Sequence, residues 1–214
     1  MLTLVYRYKT GLYVNLTNRC PTACVFCIKN RWKMGYRGSD LGLGGREPDA
    51  AAYAAKIKDA WLQQSFDELV FCGYGEPTMR LAELLETAKA VRSGSLAPVP
   101  KELRIRVNTN GLGSLVNGRN IVPELKGLVD SVHVSLNTAD PAQWLALMRP
   151  APEYAPGGFE GALAFAREAA SSLPETLVTA IDGTGADLDK VKALADGLGA
   201  GLRIRPRLED ETPR

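Results

Sequence analysis

Six short segments of the chain have the composition of extended strands, and longer stretches of helix-forming residues lie between them. Apolar and polar residues alternate strictly in three of the six, at residues 103–108, 131–137 and 202–205. The pattern predicts strands over residues 12–16, 68–72, 103–108, 131–136, 176–181 and 202–205. Stretches rich in Ala, Leu, Glu and Lys predict helices over residues 48–64, 80–92, 142–148, 158–171 and 186–198. Strands that are separated by helices cannot pair as hairpins, so we expect them to run parallel with right-handed crossovers.

Six such units predict an α/β fold. We expect an incomplete parallel (βα)6 barrel, or partial TIM barrel, because the closed barrel needs eight units. A doubly wound open sheet is the competing arrangement. An antiparallel sheet with one face in water is a further alternative, against which the intervening helices argue. We interpret residues 1–214 as a single domain.

Strict alternation gives several of the predicted strands one polar face. Parallel strands that are covered by helices on both sides usually read as continuous apolar runs, so a polar face indicates a cavity or cleft. We expect the side chains that face this cavity to be Asn15, Arg104, Arg106, Asn108, His133, Ser135, Asn137, Arg203 and Arg205.

The composition is that of a folded globular protein, with 45% hydrophobic and 23% charged residues, and it excludes a disordered chain. The net charge of +2 is too small to indicate a nucleic-acid or membrane partner. The sequence contains no run of about 18 apolar residues, and its N-terminus lacks the residue order of a signal peptide. We therefore expect a cytoplasmic protein with no membrane partner.

Three of the four cysteines, Cys20, Cys24 and Cys27, lie within eight residues directly after the first predicted strand. Active sites of parallel α/β folds are built at this end of the strands. A structural zinc ion ordinarily takes four protein ligands, and no fourth cysteine or histidine is near in sequence, although a zinc-binding module remains an alternative. Iron–sulfur clusters are ordinarily held by four thiolates, so three suit a [4Fe-4S] cluster with one iron open to an outside ligand.

The CxxxCxxC spacing, with Phe26 before the third thiol, resembles the radical S-adenosylmethionine (SAM) superfamily. The resemblance implies that the three cysteines bind a [4Fe-4S] cluster whose free iron binds SAM. It also implies that the reduced cluster cleaves SAM to a 5'-deoxyadenosyl radical, which abstracts a hydrogen atom from the substrate. An external electron donor of the flavodoxin or ferredoxin type is then required.

Later segments carry further marks of this family at the ends of successive predicted strands. The run FCGYGEPT, residues 71–78, resembles the family's glycine-rich motif, and VNTNG, residues 107–111, resembles its TNG segment. Ser135 and Asn137 end the fourth predicted strand. The resemblance implies that the following residues contact SAM: Phe26, Gly73, Tyr74, Gly75, Glu76, Asn108, Thr109, Asn110, Ser135 and Asn137.

A narrower resemblance rests on YVNLTNRC, residues 13–20, and IKNRW, residues 28–32. These runs are similar to the radical SAM proteins associated with TatD-type metallohydrolases, which implies a functional link to such a hydrolase. A more distant likeness to compact activating enzymes leaves a protein substrate open. An iron–sulfur electron-transfer protein, or a SAM-binding regulatory protein without turnover, is the alternative from another functional class.

The remaining candidate residues concern the substrate, which the sequence leaves open between a small molecule and a macromolecule. His133 and Cys72 are candidate catalytic residues, because an imidazole can move a proton and a thiol can react. The candidates for binding an anionic substrate are Arg104, Arg106, Arg203 and Arg205.

Three segments receive an interpretation of their own. Residues 17–30 form the cluster loop, residues 31–46 form a possible substrate or lid loop, and residues 208–214 form a frayed tail. The run at 29–37 is basic and aromatic, with Lys29, Arg31, Trp32, Lys33, Tyr36 and Arg37. Such a run suits an anionic or stacking partner, although exposed cations on a loop are also common without any partner.

Overall fold

The computed structural model describes residues 2–36 and 38–207. Its strands are β1 Val5–Tyr8, β2 Gly11–Val14, β3 Gly35–Tyr36, β4 Ser39–Asp40, β5 Glu68–Phe71, β6 Arg104–Thr109, β7 Ser131–Ser135, β8 Glu175–Ile181 and β9 Gly201–Arg205. Its helices are α1 Ile28–Arg31, α2 Ala50–Gln63, α3 Leu81–Arg92, α4 Gly113–Val116, α5 Val122–Leu125, α6 Pro141–Met148, α7 Gly158–Ser172 and α8 Leu188–Gly197, and a 3-10 turn spans Pro77–Arg80.

The main sheet has the order β1-β2-β5-β6-β7-β8-β9, and β3 and β4 form a separate hairpin. All neighbours from β2 to β9 pair in parallel, so the antiparallel alternative is wrong. A doubly wound sheet reverses its strand order at a switch point, whereas this order runs in one direction. The fold is therefore α/β with a mostly parallel sheet, consistent with a partial barrel.

Among the described strands of the main sheet, β1 is the one that the sequence analysis did not predict. It pairs antiparallel with β2 through a two-residue turn, so that Tyr8 is opposite Gly11. Lys9, in this turn, has a φ of 53°, in the left-handed region that such tight turns use. The hairpin adds a seventh strand at the edge of the parallel sheet.

The helices cover one face of the sheet because their apolar residues recur at helical spacing. In α2 the buried positions include Tyr53 and Ile57, four residues apart. Asp49 caps the start of this helix, since its side chain accepts a hydrogen bond of 2.9 Å from the Ala52 amide. Central strands contribute fully buried residues such as Phe71 to the same core. Each helix in the described part of the chain falls short of the length and apolarity that a membrane crossing demands.

Candidate functional site

A cavity of about 370 Å³ opens at the carboxyl ends of the parallel strands, and this volume is usual for a small-molecule site. Both edge strands, β1 and β9, contribute to its wall, so the sheet curves until its edges border the same space. The predicted site residues that line the cavity are Cys20, Cys24, Phe26, Cys27, Cys72, Gly73, Tyr74, Gly75, Glu76, Arg106, Asn108, Thr109, Asn110, His133, Ser135, Arg203 and Arg205.

The cluster loop gathers two of its thiols around a threonine. The Thr22 hydroxyl lies 3.3 Å from Cys20 Sγ and 3.4 Å from Cys24 Sγ. Asn110 Nδ2, at the end of β6, lies 3.8 Å from Cys20 Sγ, and Cys24 Sγ lies 3.8 Å from Met148 Sδ. Sequence reasoning missed Thr22 and Met148. Thr22 carried a usable signal, because a hydroxyl between two motif cysteines is placed to contact both.

The donor set of this loop fits an iron–sulfur cluster. Burial raises the pKa of the Cys20 thiol and raises the pKa of Cys24 to about 12. Both are therefore protonated at neutral pH before a metal binds, and iron has to displace these protons. Among residues 2–36 and 38–207, no three Cys, His, Asp or Glu side chains converge as a single metal ion requires. In a cubane each iron takes its own thiolate, so the ligands surround the cluster instead of meeting at one atom.

Residues 73–76, the glycine turn, pack directly against the backbone that leads into the cluster loop. A Cβ atom on Gly75 would lie 2.3 Å from the Thr17 carbonyl oxygen, and one on Gly73 would lie 2.3 Å from Asn15 Oδ1. The sequence predicted that these glycines admit a ligand. The structure adds a second reason, because the two backbone segments need both glycines in order to touch.

Glu76 joins the ends of two strands. Its buried carboxylate accepts hydrogen bonds from Thr78 Oγ1 at 2.7 Å, Thr78 N at 3.1 Å, Thr109 Oγ1 at 2.8 Å and Asn110 N at 2.7 Å. Burial raises the pKa of the Glu76 carboxyl, although these four bonds favour the charged form. The carboxylate thus holds the glycine turn against the end of β6, at the surface of the cavity.

Ser135 and Asn137 have different positions. Ser135 ends β7 and lines the cavity, whereas Asn137 is fully buried outside the cavity lining. Asn137 Nδ2 donates to the Ser135 carbonyl oxygen at 3.2 Å and lies 3.3 Å from Met148 Sδ. The prediction that Asn137 faces the cavity is therefore wrong. Alternation applies only within a strand, and Asn137 lies two residues beyond the end of β7.

Arg106 is buried at the base of the cavity and is already paired. Its guanidinium donates to Glu68 Oε1 at 2.6 Å, to Asn108 Oδ1 at 2.6 Å and to the Tyr13 hydroxyl at 3.1 Å. It also lies 3.3 Å from His133 Nδ1. Burial opposes the charge of Glu68, but its contacts with Arg106 hold its pKa below the usual value. Arg106 is thus neutralised by the protein.

His133 is neutral at pH 7. Burial, together with the nearby Arg106 and Arg203, lowers its pKa to about 4. An arginine can only donate, so His133 accepts at Nδ1 and carries its proton on Nε2. This second nitrogen lies 3.7 Å from Glu175 Oε2. The ring therefore supports the Arg106 side chain, and its role in catalysis stays a prediction.

Of the other residues predicted to face the cavity, Asn108 lines it, whereas Asn15 is fully buried outside the cavity lining, so that prediction is wrong. The three remaining arginines and Cys72 lie in different surroundings. Arg104 lies outside the cavity lining and pairs with Glu175 Oε2 at 2.5 Å, so the prediction that it faces the cavity is wrong. It is two residues nearer the amino end of β6 than Arg106. Arg203 and Arg205, on β9, both line the cavity. Cys72 also lines it, and burial raises the pKa of its thiol.

Five aromatic rings form one side of the cavity and are named the aromatic wall here. The rings touch one another, with centroids 5.4 to 6.1 Å apart. Sequence reasoning noted two of them in the basic run and missed the three on β1 and β2, for which the alternation of Tyr6 and Tyr8 was an available signal. The members are Tyr6, Tyr8, Tyr13, Trp32 and Tyr36.

The described part of the segment 31–46 packs on the site. The Tyr74 hydroxyl donates to the Gly35 carbonyl oxygen at 2.7 Å, and Asn15 Nδ2 donates to that of Leu41 at 2.8 Å. These bonds hold the β3–β4 hairpin beside the cluster loop, and a role as a lid stays a prediction. Arg37 and the predicted frayed tail, residues 208–214, lie outside the described residues.

Comparisons with known proteins agree with this geometry. A model of the radical SAM superfamily matches residues 14–196. Streptococcus suis SuiB, in a structure bound to S-adenosylmethionine, is similar in fold with a TM-score of 0.61 and 13% identity, over 94% of this chain and 39% of SuiB. No curated protein sequence matches the chain.

Two structures of the radical S-adenosylmethionine methyltransferase TsrM from Kitasatospora setae are also similar. The structure with tryptophan substrate and the SAM analogue aza-SAM has a TM-score of 0.52 and 16% identity, over 87% of this chain and 34% of TsrM. The structure with cobalamin and a [4Fe-4S] cluster has a TM-score of 0.51 and 16% identity, over 87% and 35%. The chain thus spans about two fifths of SuiB and about a third of TsrM.

Proposed function

The chain belongs to the radical SAM superfamily, and we propose that it is an enzyme that abstracts a hydrogen atom from an anionic substrate. Its cofactors are those of the family, a [4Fe-4S] cluster and S-adenosylmethionine. When both are bound and one electron arrives from an external donor, cleavage of SAM supplies a 5'-deoxyadenosyl radical. The protein's own residues bind the cofactors, orient the substrate beside them and exclude water.

One observation carries the proposal: the cysteine thiols, the glycine turn and the polar ends of β6 and β7 all line the same cavity. In this proposal Cys20, Cys24 and Cys27 hold the cluster. The glycine turn, the end of β6 and Ser135 hold SAM beside it. The aromatic wall, which lines the same cavity, excludes water and so protects a radical from side reactions.

The proposal extends to partners and to a subgroup. Family members generally need an external electron donor, and we propose one of the flavodoxin or ferredoxin type. The runs YVNLTNRC and IKNRW support membership of the TatD-associated group and a functional link to a TatD-type hydrolase. A cytoplasmic location is proposed with them, since a reducing compartment keeps the thiols free to bind iron.

Anaerobic reconstitution tests the proposal. The protein is loaded with iron and sulfide, reduced with dithionite and supplied with SAM. We expect about four irons per chain, as a cubane requires, and release of 5'-deoxyadenosine. Replacing Cys20, Cys24 or Cys27 by alanine should remove the iron and the product, because each thiolate holds one iron.

Cys72→Ala is the matched control, since Cys72 lines the same cavity outside the motif. It should retain iron. A cluster that is reducible but releases no 5'-deoxyadenosine would instead support an electron-transfer or regulatory protein. Zinc in place of iron in freshly isolated anaerobic protein would favour a structural module and contradict the proposal.

A further inference from the structure

The cavity carries more positive than negative charge. Lys9, Lys29, Arg203 and Arg205 line it. Within the described residues, Glu76 is the acid that lines it, and four protein donors already hold its carboxylate. A concave wall of this kind attracts anions.

Arg205 is the cation in this wall that has a buried nitrogen without a hydrogen-bond partner among the described residues. Its Nε is buried and has no hydrogen-bond partner in the described part of the chain. Its Nη2 makes one long contact, 3.4 Å to Ser135 Oγ, and no carboxylate among residues 2–36 and 38–207 pairs with it. Arg106, by contrast, has Glu68 at 2.6 Å. A buried guanidinium normally has an anion as its partner, and a planar carboxylate or phosphate matches its donors.

The aromatic wall borders the same cavity from the β1 edge of the sheet. Tyr8 contacts Tyr13 and Tyr36, with centroids 5.4 Å and 6.1 Å away. Tyr8 and Arg205 line the same cavity from β1 and β9, the two edge strands of the main sheet. Aromatic faces bind planar rings by stacking.

We propose that the substrate is a planar, ring-bearing anion whose carboxylate or phosphate pairs with Arg205 while its ring lies against the aromatic wall. This inference rests on the proposed function, because it names the substrate class of that same cavity. Of the four arginines that the sequence analysis gave as candidates for binding an anionic substrate, the inference selects Arg205. Arg104 is outside the cavity lining, Arg106 is neutralised by Glu68, and Arg203 is exposed to solvent, whereas Arg205 is half-buried.

The probe for this inference is 2-naphthoate, measured by equilibrium dialysis against protein loaded with cluster and SAM. Its neutral isostere 2-naphthamide tests the charge, and cyclohexanecarboxylate tests the ring. We expect 2-naphthoate to bind at least tenfold more tightly than either. Arg205→Gln should abolish the preference for the acid over the amide, and Tyr8→Leu should reduce the preference for the aromatic acid.

Arg104→Gln is the matched control, because it removes an arginine from the same sheet outside the cavity, and it should change neither preference. Arg205→Lys keeps the charge and should retain part of the acid preference. It keeps the test informative if Arg205→Gln unfolds, which circular dichroism would reveal.

Three results would overturn the inference. The first is a wild-type protein that binds acid and amide alike, or neither. The second is an Arg205→Gln protein that, measured without any probe, loses affinity for SAM by the same factor by which it loses affinity for 2-naphthoate. Arg205 would then bind the SAM carboxylate and not the substrate. The third is an acid preference that emerges only when Glu209, Asp210 and Glu211 are replaced by alanine, since these acids are then its native partners.

The inference and the proposed function can fail separately. Release of 5'-deoxyadenosine without an acid preference would leave the enzyme proposal intact and reject the substrate class. An acid preference that depends on Arg205, in a protein that never cleaves SAM, would do the reverse.

Discussion

At the scale of single residues, His133 makes the stability of the fold depend on pH. Its pKa in the folded protein is about 4, against an ordinary value of 6.5. The unfolded chain therefore takes up a proton near pH 6.5, while the folded protein does so only near pH 4. The contribution of the neutral His133 to the free energy of unfolding should be complete above pH 6.5. It should decrease as the pH drops toward 4, which lowers the free energy of unfolding by about 2–3 kcal/mol.

Urea unfolding at pH 5.0, 6.0 and 7.5 measures this effect. His133→Gln should be less stable at pH 7.5, because the Arg106 contact changes, but its stability should vary less between pH 7.5 and 5.0. Since His133 is the single histidine of the chain, the NMR titration of its imidazole reads the same pKa directly. A midpoint near 6.5 would contradict the prediction.

The arginines of β6 show what residue patterns can and cannot predict. Alternation placed Arg104 and Arg106 on the same face, and the structure agrees that both point to the Glu68 side of the sheet, since each has a Glu68 oxygen within 4 Å. Alternation contains no information on depth along the barrel. Arg106 reaches the cavity and Arg104 does not, because a rise of about 3.3 Å per residue separates them by roughly 6.6 Å.

At the scale of elements, the glycine turn fixes the cluster loop through close backbone contact. A methyl group on Gly75 would meet the Thr17 oxygen at 2.3 Å and the Arg19 oxygen at 2.6 Å, and neither backbone atom can move freely. Gly75→Ala should therefore lower the free energy of unfolding by roughly 2–4 kcal/mol. It should also lower the iron content after reconstitution, because the cluster loop is displaced.

Gly197→Ala is the control for that measurement. Gly197 ends α8, and a Cβ atom there would meet nothing within 4 Å. Alanine favours a helix over glycine, so this variant should be unchanged or more stable by up to about 1 kcal/mol. If both variants behave alike in urea, close packing of the glycine turn does not determine stability.

The elements that the sequence predicted are those with long periodic patterns. All six parallel strands and the five long helices are present near their predicted positions. Strand β1 was missed, although Tyr6 and Tyr8 alternate in it, because it precedes the first strand–helix unit and pairs antiparallel with β2. The aromatic wall was missed with it, since the wall exists only when β1 and the β3–β4 hairpin meet.

At the scale of the whole molecule, chemistry is divided between the two ends of the barrel. The carboxyl ends of the strands hold the thiols, the glycine turn and Arg205, whose Nε has no partner among the residues that the structure describes. The amino ends hold acids and bases that neutralise one another, as Glu175 does with Arg104. The motifs predicted the first end because its residues follow strands directly. At the amino ends, the ion pair between Arg104 and Glu175 joins residues 71 positions apart in the sequence, so no local sequence pattern predicts it.

Hydrogen exchange of the cluster-loaded protein tests this division. SAM at 100 times its dissociation constant stabilises the bound form by about 2.7 kcal/mol, so amide exchange that requires SAM release should slow by up to about 100-fold. We expect this protection in the glycine turn and at the end of β6, where the proposed SAM contacts lie. Helix α8 should show no change, because its residues do not line the cavity. Protection centred on the amino ends of β5 and β6 would place SAM at the wrong end and contradict the proposed site.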